Sequence, residues 1–254
     1  MLQGVRGVLL DVDGTLLDGD AAIPGAAETL QRLRRAGLGL RLITNTTRRS
    51  RAAVAAALRR AGIDADERDV LTPAALARSR IAESDRSSAL LLIPREARRD
   101  FAGVVTEGSR SAWVVVGDMG NEFTWDLLNQ AFRVLFEGAR LLALQKNRYW
   151  LAGDAGLQID AGAIVAALEY AAGVEAELVG KPSPEFFRLA LAELGLPANE
   201  VLMIGDDLVN DGQGGQAAGC RTAIVRTGKF RQRDLDGGPF RPDLLLRSVA
   251  ELGN

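Results

Sequence analysis

Two aspartates, Asp11 and Asp13 in Asp11-Val12-Asp13-Gly14-Thr15, stand at the end of the apolar run Val8-Leu9-Leu10. An extended chain points side chains i and i+2 the same way, so both carboxylates can share one cation. A divalent ion there would neutralise the pair together with a substrate phosphate, leaving Asp11 able to attack phosphorus. Asp13 could then protonate the leaving oxygen and later activate the water that hydrolyses an aspartyl phosphate. Asp and Gly also build ordinary surface turns, but the apolar run before them favours the chemical reading.

Three further groups carry polar chemistry. Thr44-Asn45-Thr46-Thr47 follows the apolar run at 38–43 and precedes a helical pattern. Its hydroxyl and backbone N–H groups could bind phosphate oxygens, although on their own such residues are more often helix caps. Lys181, between Gly180 and Pro182, offers a point charge for a nucleophilic carboxylate and for phosphoryl oxygens, or is simply a solvated loop lysine. Asp206, Asp207 and Asp211 follow the run Val201-Leu202-Met203-Ile204. Three acids so close repel unless they are solvated or bound to a cation, which suits oxygen ligation of magnesium; a turn or helix cap is the alternative.

The elements that must position these groups alternate. Between the first two apolar runs, Pro24-Gly25 opens and Gly37 closes a helical stretch with Ala26, Leu30 and Leu33 on one face. Residues 50–61 repeat that pattern with Val54, Ala57, Leu58 and Ala61 inward. Late in the chain, residues 177–179 run into Gly180-Lys181, Ser183-Pro184 can start a helix that Gly195 ends, and residues 201–204 and 222–225 read as buried strands. This grammar predicts an α/β fold with a doubly wound parallel sheet, Rossmann-like, with the polar tips at 11, 44, 181 and 206 gathered at strand carboxyl ends. The middle holds strand-like runs at 89–93, 113–116 and 141–144 and helix-like stretches at 121–136 and 161–172. It reads as an α/β insert over 77–177, with 1–76 and 178–254 forming the core.

Composition removes whole classes of mechanism. The 254 residues contain no histidine, which excludes Ser-His-Asp and Cys-His catalysis and histidine-ligated zinc within this chain. Cys220 is the only cysteine, so neither an intrachain disulfide nor a thiolate zinc cage can form; a reducing cytoplasm is the expected compartment. A net charge of −2 gives no general field for nucleic acid, and no nucleic-acid partner is expected. The segment 226–233 reads as a solvated loop. No apolar run reaches the roughly 18 residues of a membrane span, and the short apolar run before Asp11 does not make a secretory leader, so no membrane partner is expected.

In order, DVDGT, TNTT, GKPSP and IGDDLVND resemble the four motifs of the haloacid dehalogenase-like phosphatase superfamily. The resemblance implies that Asp11 is the nucleophile, Asp13 the acid/base, Thr44 and Asn45 the motif-two pair with Thr46 beside them, Lys181 the motif-three lysine and Asp206 the late metal-binding aspartate. Mg2+ is the implied cofactor, held by Asp11, Asp13 and Asp206, with Asp207 and Asp211 one layer behind. An insert of this length between motifs two and three looks like the larger α/β cap of the branch near p-nitrophenylphosphatases. The stretches at 179–187, 203–207 and 226–230 further resemble the subgroup of phospholysine phosphohistidine inorganic pyrophosphate phosphatases and haloacid dehalogenase-like-domain relatives.

Substrate choice is then expected to rest on the cap, where Asn121, Lys146, Asn147, Arg148 and Tyr149, with Asp118, sit beside strand ends. A cap core with solvated charges explains those residues equally well. The expected partner is a small phosphorylated substrate: a phosphomonoester, a phosphoamide or pyrophosphate. The resemblance also implies a homodimer through the cap. A phosphoaspartate signalling or phosphate-binding module without rapid turnover, a phosphomutase and a carbon–halogen hydrolase are the competing functions.

Overall fold

The computed structural model of the protein describes residues 2–106, 108–151 and 156–252. The chain divides into two compact units, one of residues 1–44, 51–71 and 181–254, the other of residues 45–50 and 72–180.

The first unit is built on a six-stranded sheet in the order Leu244–Leu246, Arg221–Val225, Val201–Gly205, Gly7–Asp11, Gly39–Ile43, Val70–Leu71. Every neighbouring pair is parallel. Gly7–Asp11 and Val201–Gly205 are buried along their whole length, which is why both read as unbroken apolar runs rather than alternating ones. Around them Ala26–Arg35 buries Ala26, Thr29, Leu30 and Leu33, and Arg51–Arg60 buries Val54, Ala55, Ala57 and Leu58. Leu10, Leu42, Leu202 and Ile204 join Leu30 and Leu58 in one core. Each such side chain contributes about 1.5–3 kcal/mol on leaving water. From Gly7–Asp11 the chain moves outward to one edge of the sheet, then returns to Val201–Gly205 and moves outward to the other. The order therefore reverses between these two strands, and it is outside the carboxyl ends at such a reversal that doubly wound sheets leave a crevice.

The second unit carries its own parallel sheet in the order Glu177–Leu178, Arg140–Ala143, Trp113–Val116, Ala89–Leu92. Trp113 and Val115 pack with Ala77 and Ile81 of the helix Pro73–Ala82. Val114 and Val116 pack on the opposite face with Ala131 and Leu135 of Trp125–Phe136 and with Val165 and Leu168 of Ala161–Ala172. A central strand covered on both faces loses the polar alternation that would mark an exposed side. The architecture is thus α/β throughout, a doubly wound core with an inserted α/β unit, as the sequence predicts.

Some elements differ from their sequence reading. The helix expected from 121 begins at Trp125, because the Thr124 hydroxyl accepts a hydrogen bond from the Leu127 amide at 3.2 Å and Gly120–Glu122 forms a separate 3₁₀ turn. After Asp207 the chain winds first as a π-helical turn, Leu208–Gln213, and becomes α-helical only over Gly214–Ala217. Two antiparallel ribbons escape the periodicity, Leu17–Asp18 with Ala21–Ala22 and Tyr149–Leu151 with Leu157–Ile159. Among the described residues no helix is long and apolar enough to cross a membrane.

Candidate active site

The strand ends at the reversal gather charge. Asp11 ends Gly7–Asp11, and Asp206 follows Val201–Gly205, whose Ile204 is in register with Leu10. Lys181 is 2 % exposed and donates to Asp11 Oδ1 at 2.5 Å, to Asp211 Oδ1 at 2.7 Å and to the Ile43 carbonyl at 3.3 Å. One buried ammonium thus bridges the first strand tip and the turn after the later one. Burial works against its charge, but Asp11 and Asp211 outweigh it and hold Lys181 above the ordinary lysine range.

The carboxylates are in the opposite condition. Asp11, Asp206 and Asp211 each bring an oxygen within 4.8 Å of the others, and all three are buried. Burial raises Asp11, Lys181 pulls it back and Asp13 pushes it up again. Burial also raises Asp206 well above the carboxylate range, with Asp11 and Asp211 adding to the effect. Asp211 is pushed up to about 7, mostly by burial, while Lys181 opposes the shift. Three oxygen donors that resist ionisation together are a donor set for a hard divalent cation, which would neutralise them at once; Mg2+ fits.

Asp13 and Asp207 have other duties. Asp13, which the sequence expected beside Asp11 and Asp206 on the cation, is exposed, and its Oδ2 accepts from the buried Thr44 hydroxyl at 3.2 Å; the trio of mutually close carboxylates is Asp11, Asp206 and Asp211. Asp211, expected one layer back, belongs to that trio, and its Oδ2 also accepts from the Asp207 amide at 3.1 Å. Asp207 caps the π-helical turn by accepting from the Val209 and Asn210 amides at 3.0 and 2.9 Å, which is the helix-cap role that the sequence left open.

Residues 227–229 also enter the site, from within a segment that is largely solvent-exposed as expected for 226–233. The Lys229 amide donates to Asp206 Oδ2 and the Thr227 hydroxyl donates to the Gly14 carbonyl. Gly14 and Gly228 have φ of 88° and 57°, and a Cβ at either would overlap the Asp206 carboxylate, so both the turn and the approach demand glycine. The available signals were the Thr227-Gly228 pair after a buried strand and the family likeness at 226–230, and spacing alone does not link them to Asp206.

The remaining candidates lie in the other unit, which takes Asn45 and Thr46. There Lys146 Nζ is paired with both oxygens of Glu169 at 2.9 and 3.0 Å, and the Asn147 amide donates to the Gln145 side chain. Asp118 receives a two-pronged bond from Arg48, at 2.6 and 3.1 Å. Asn121, Arg148 and Tyr149 are exposed.

The "Haloacid dehalogenase-like hydrolase" family model matches residues 8–106, and a second model of the same kind, HAD-hydrolase-like, matches residues 178–252. A phospholysine phosphohistidine inorganic pyrophosphate phosphatase of Bos taurus is 43% identical over 98% of this chain and 93% of its own. The chain belongs to the haloacid dehalogenase-like hydrolases. It is therefore an enzyme of that family, and its solved neighbours agree. NagD from E. coli K-12 superposes with a TM-score of 0.89 at 30% identity, covering 98% of both chains. A 4-nitrophenylphosphatase from Thermotoga maritima gives 0.92 at 27% identity, covering 99% of this chain and 97% of its own.

Proposed function

We propose that this hydrolase is a magnesium-dependent phosphatase that works through a phosphoaspartate on Asp11. The observation that carries the reading is the buried Asp11 carboxylate, held by Lys181 at 2.5 Å on one oxygen and crowded by Asp206 and Asp211. Lys181 fixes the rotamer of Asp11 and keeps a positive charge where phosphoryl oxygens would gather. Asp11 and Asp206, with Asp211 behind them, would hold Mg2+, which when bound supplies countercharge for the carboxylates and the incoming phosphate.

An Asp11 oxygen attacks phosphorus, the bond from phosphorus to the leaving group breaks, and the departing atom takes a proton from Asp13. Asp13, now a carboxylate, removes a proton from water; the water oxygen attacks phosphorus, and the bond to Asp11 breaks to release phosphate. Exposure suits Asp13 to this shuttle, since it must meet both a leaving group and solvent, and the Thr44 hydroxyl holds it in place. The names of the relatives support a small phosphorylated substrate, whether phosphomonoester, phosphoamide or pyrophosphate. In this reading residues 1–76 and 178–254 are the catalytic core and 77–177 the cap that selects among them.

The test is phosphate release from p-nitrophenyl phosphate, pyrophosphate, phosphohistidine, phospholysine and sugar phosphates, each with magnesium and with EDTA. Asp11→Asn is expected to lower turnover on the order of 10⁴-fold or more, as loss of a covalent nucleophile does. Turnover that persists in this variant, or in EDTA, would overturn the mechanism.

A further inference from the structure

The strand Arg221–Val225 lies beside Val201–Gly205, with Ile224 in register with Gly205, so the loop leaving it arrives at the Asp206 tip. There the loop divides its labour. The Lys229 backbone amide and the Thr227 hydroxyl make the structural bonds, to Asp206 and to the Gly14 carbonyl. The Lys229 side chain makes none of these; its ammonium lies 3.8 Å from Asp207 Oδ2 and is 46% exposed.

Five carboxylates, of Asp11, Asp13, Asp206, Asp207 and Asp211, crowd this end of the sheet, while Lys181 is buried between two of them. A divalent ion and Lys181 leave that set short of positive charge before any phosphate arrives. We infer that Lys229 is the second fixed countercharge of the site, weakening its grip on the free cation and strengthening its grip on the phosphoryl group, so that ion and phosphate bind as a pair. The inference rests on the metal-assisted phosphatase reading and extends it to how cation and substrate are coupled. Although partial burial works against its charge, Asp207, Asp206, Asp11 and Asp211 together hold Lys229 above the ordinary lysine range, so it is a permanent cation at neutral pH.

A substitution at this side chain leaves the amide bond to Asp206 in place, so charge can be separated from architecture. Mg2+ binding to the full chain without substrate, and inorganic phosphate binding in the presence of Mg2+, are measured by titration calorimetry for the wild type, Lys229→Met and Lys229→Arg. Removing the positive charge that stands beside Asp207, next in the chain to Asp206, should tighten Mg2+ roughly threefold to tenfold and weaken phosphate by a similar factor. Lys229→Arg should return both toward wild type. A purely structural role predicts that both ligands weaken together. Magnesium affinity that is unchanged or weaker in Lys229→Met, against a wild type that does bind the ion, overturns the inference and leaves the phosphatase reading intact. A wild type that binds no Mg2+ removes the metal reading and this inference with it.

Discussion

Both units of this protein are parallel sheets wrapped by helices, and both bury carboxylates near the carboxyl ends of their strands, yet the two treat that charge differently. In the inserted unit Asp118 is matched by the two-pronged Arg48 guanidinium and accepts from the Gly120 amide at 2.8 Å. Asp160 caps Ala161–Ala172; burial raises it and Asp118 adds to that, but the Ala161 amide at 2.7 Å and the Gln145 side chain pull it back, and among the described residues it belongs to no buried trio of acids. In the core, Asp11 and Asp211 share one buried lysine, Asp206 takes only the Lys229 amide, and the three push one another toward the protonated form. Buried polarity alone therefore does not mark a site. What marks it is buried like charge that the fold gathers and does not balance, a condition that lowers stability and is tolerated where a ligand completes the set.

The contrast breaks most readily at Asp206. Asp206→Asn keeps an oxygen for the Lys229 amide but removes one of the crowded charges. Its catalytic efficiency with p-nitrophenyl phosphate should fall on the order of 10³-fold, because several kcal/mol of transition-state charge stabilisation go with the cation. The metal-free variant should at the same time be more stable than metal-free wild type, by about 1 kcal/mol or more, since a single pKa unit of displacement is worth that much. Urea denaturation in EDTA measures it; a less stable variant would mean that the core carboxylates are balanced after all. Lys181→Met tests the other side of the same balance. It leaves Asp11 and Asp211 without their shared ammonium at a site 2 % exposed, so stability should drop by about 3–5 kcal/mol, with Mg2+ restoring part of the loss. A variant as stable as wild type in EDTA would show that Lys181 is dispensable to the fold.

The framework of this arrangement is written locally. Strands covered on both faces must be continuously apolar, and the first polar residue after each run is at its tip, so Asp11, Lys181 and Asp206 stand out by position as well as type. What stays hidden depends on contacts between distant segments. Lys229 meets Asp206 only because two strands lie side by side, and nothing in the spacing of residues 226–229 states that neighbour. Asp211 joins the trio through a π-helical turn, whose wider winding a 3.6-residue pattern does not anticipate. In the insert, Lys146 reads as an available cation until Glu169, on a helix 23 residues further on, supplies its partner. Strand tips are legible in one dimension, and which tips are charge-balanced is not.

The smallest expected effect sharpens the comparison by its sign. Asp118, 8 % exposed, is a partnered carboxylate, so neutralising it should do the reverse of neutralising Asp206. Asp118→Asn weakens the charge-assisted bond from Arg48, whose side chain is 44% exposed, and solvent screening there limits the loss to about 1 kcal/mol. All three tryptophans of the chain, Trp113, Trp125 and Trp150, lie in the inserted unit, so intrinsic fluorescence during urea denaturation follows that unit alone. Arg48 itself lies over the Trp150 ring at 5.0 Å, which places a reporter against the pair. The midpoint should fall in Asp118→Asn, whereas Asp206→Asn should raise the metal-free stability of the core. If the fluorescence midpoint rises in Asp118→Asn, the inserted unit holds unbalanced charge as well, and its carboxylates become candidates for ligand binding on the same physical ground as those of the core.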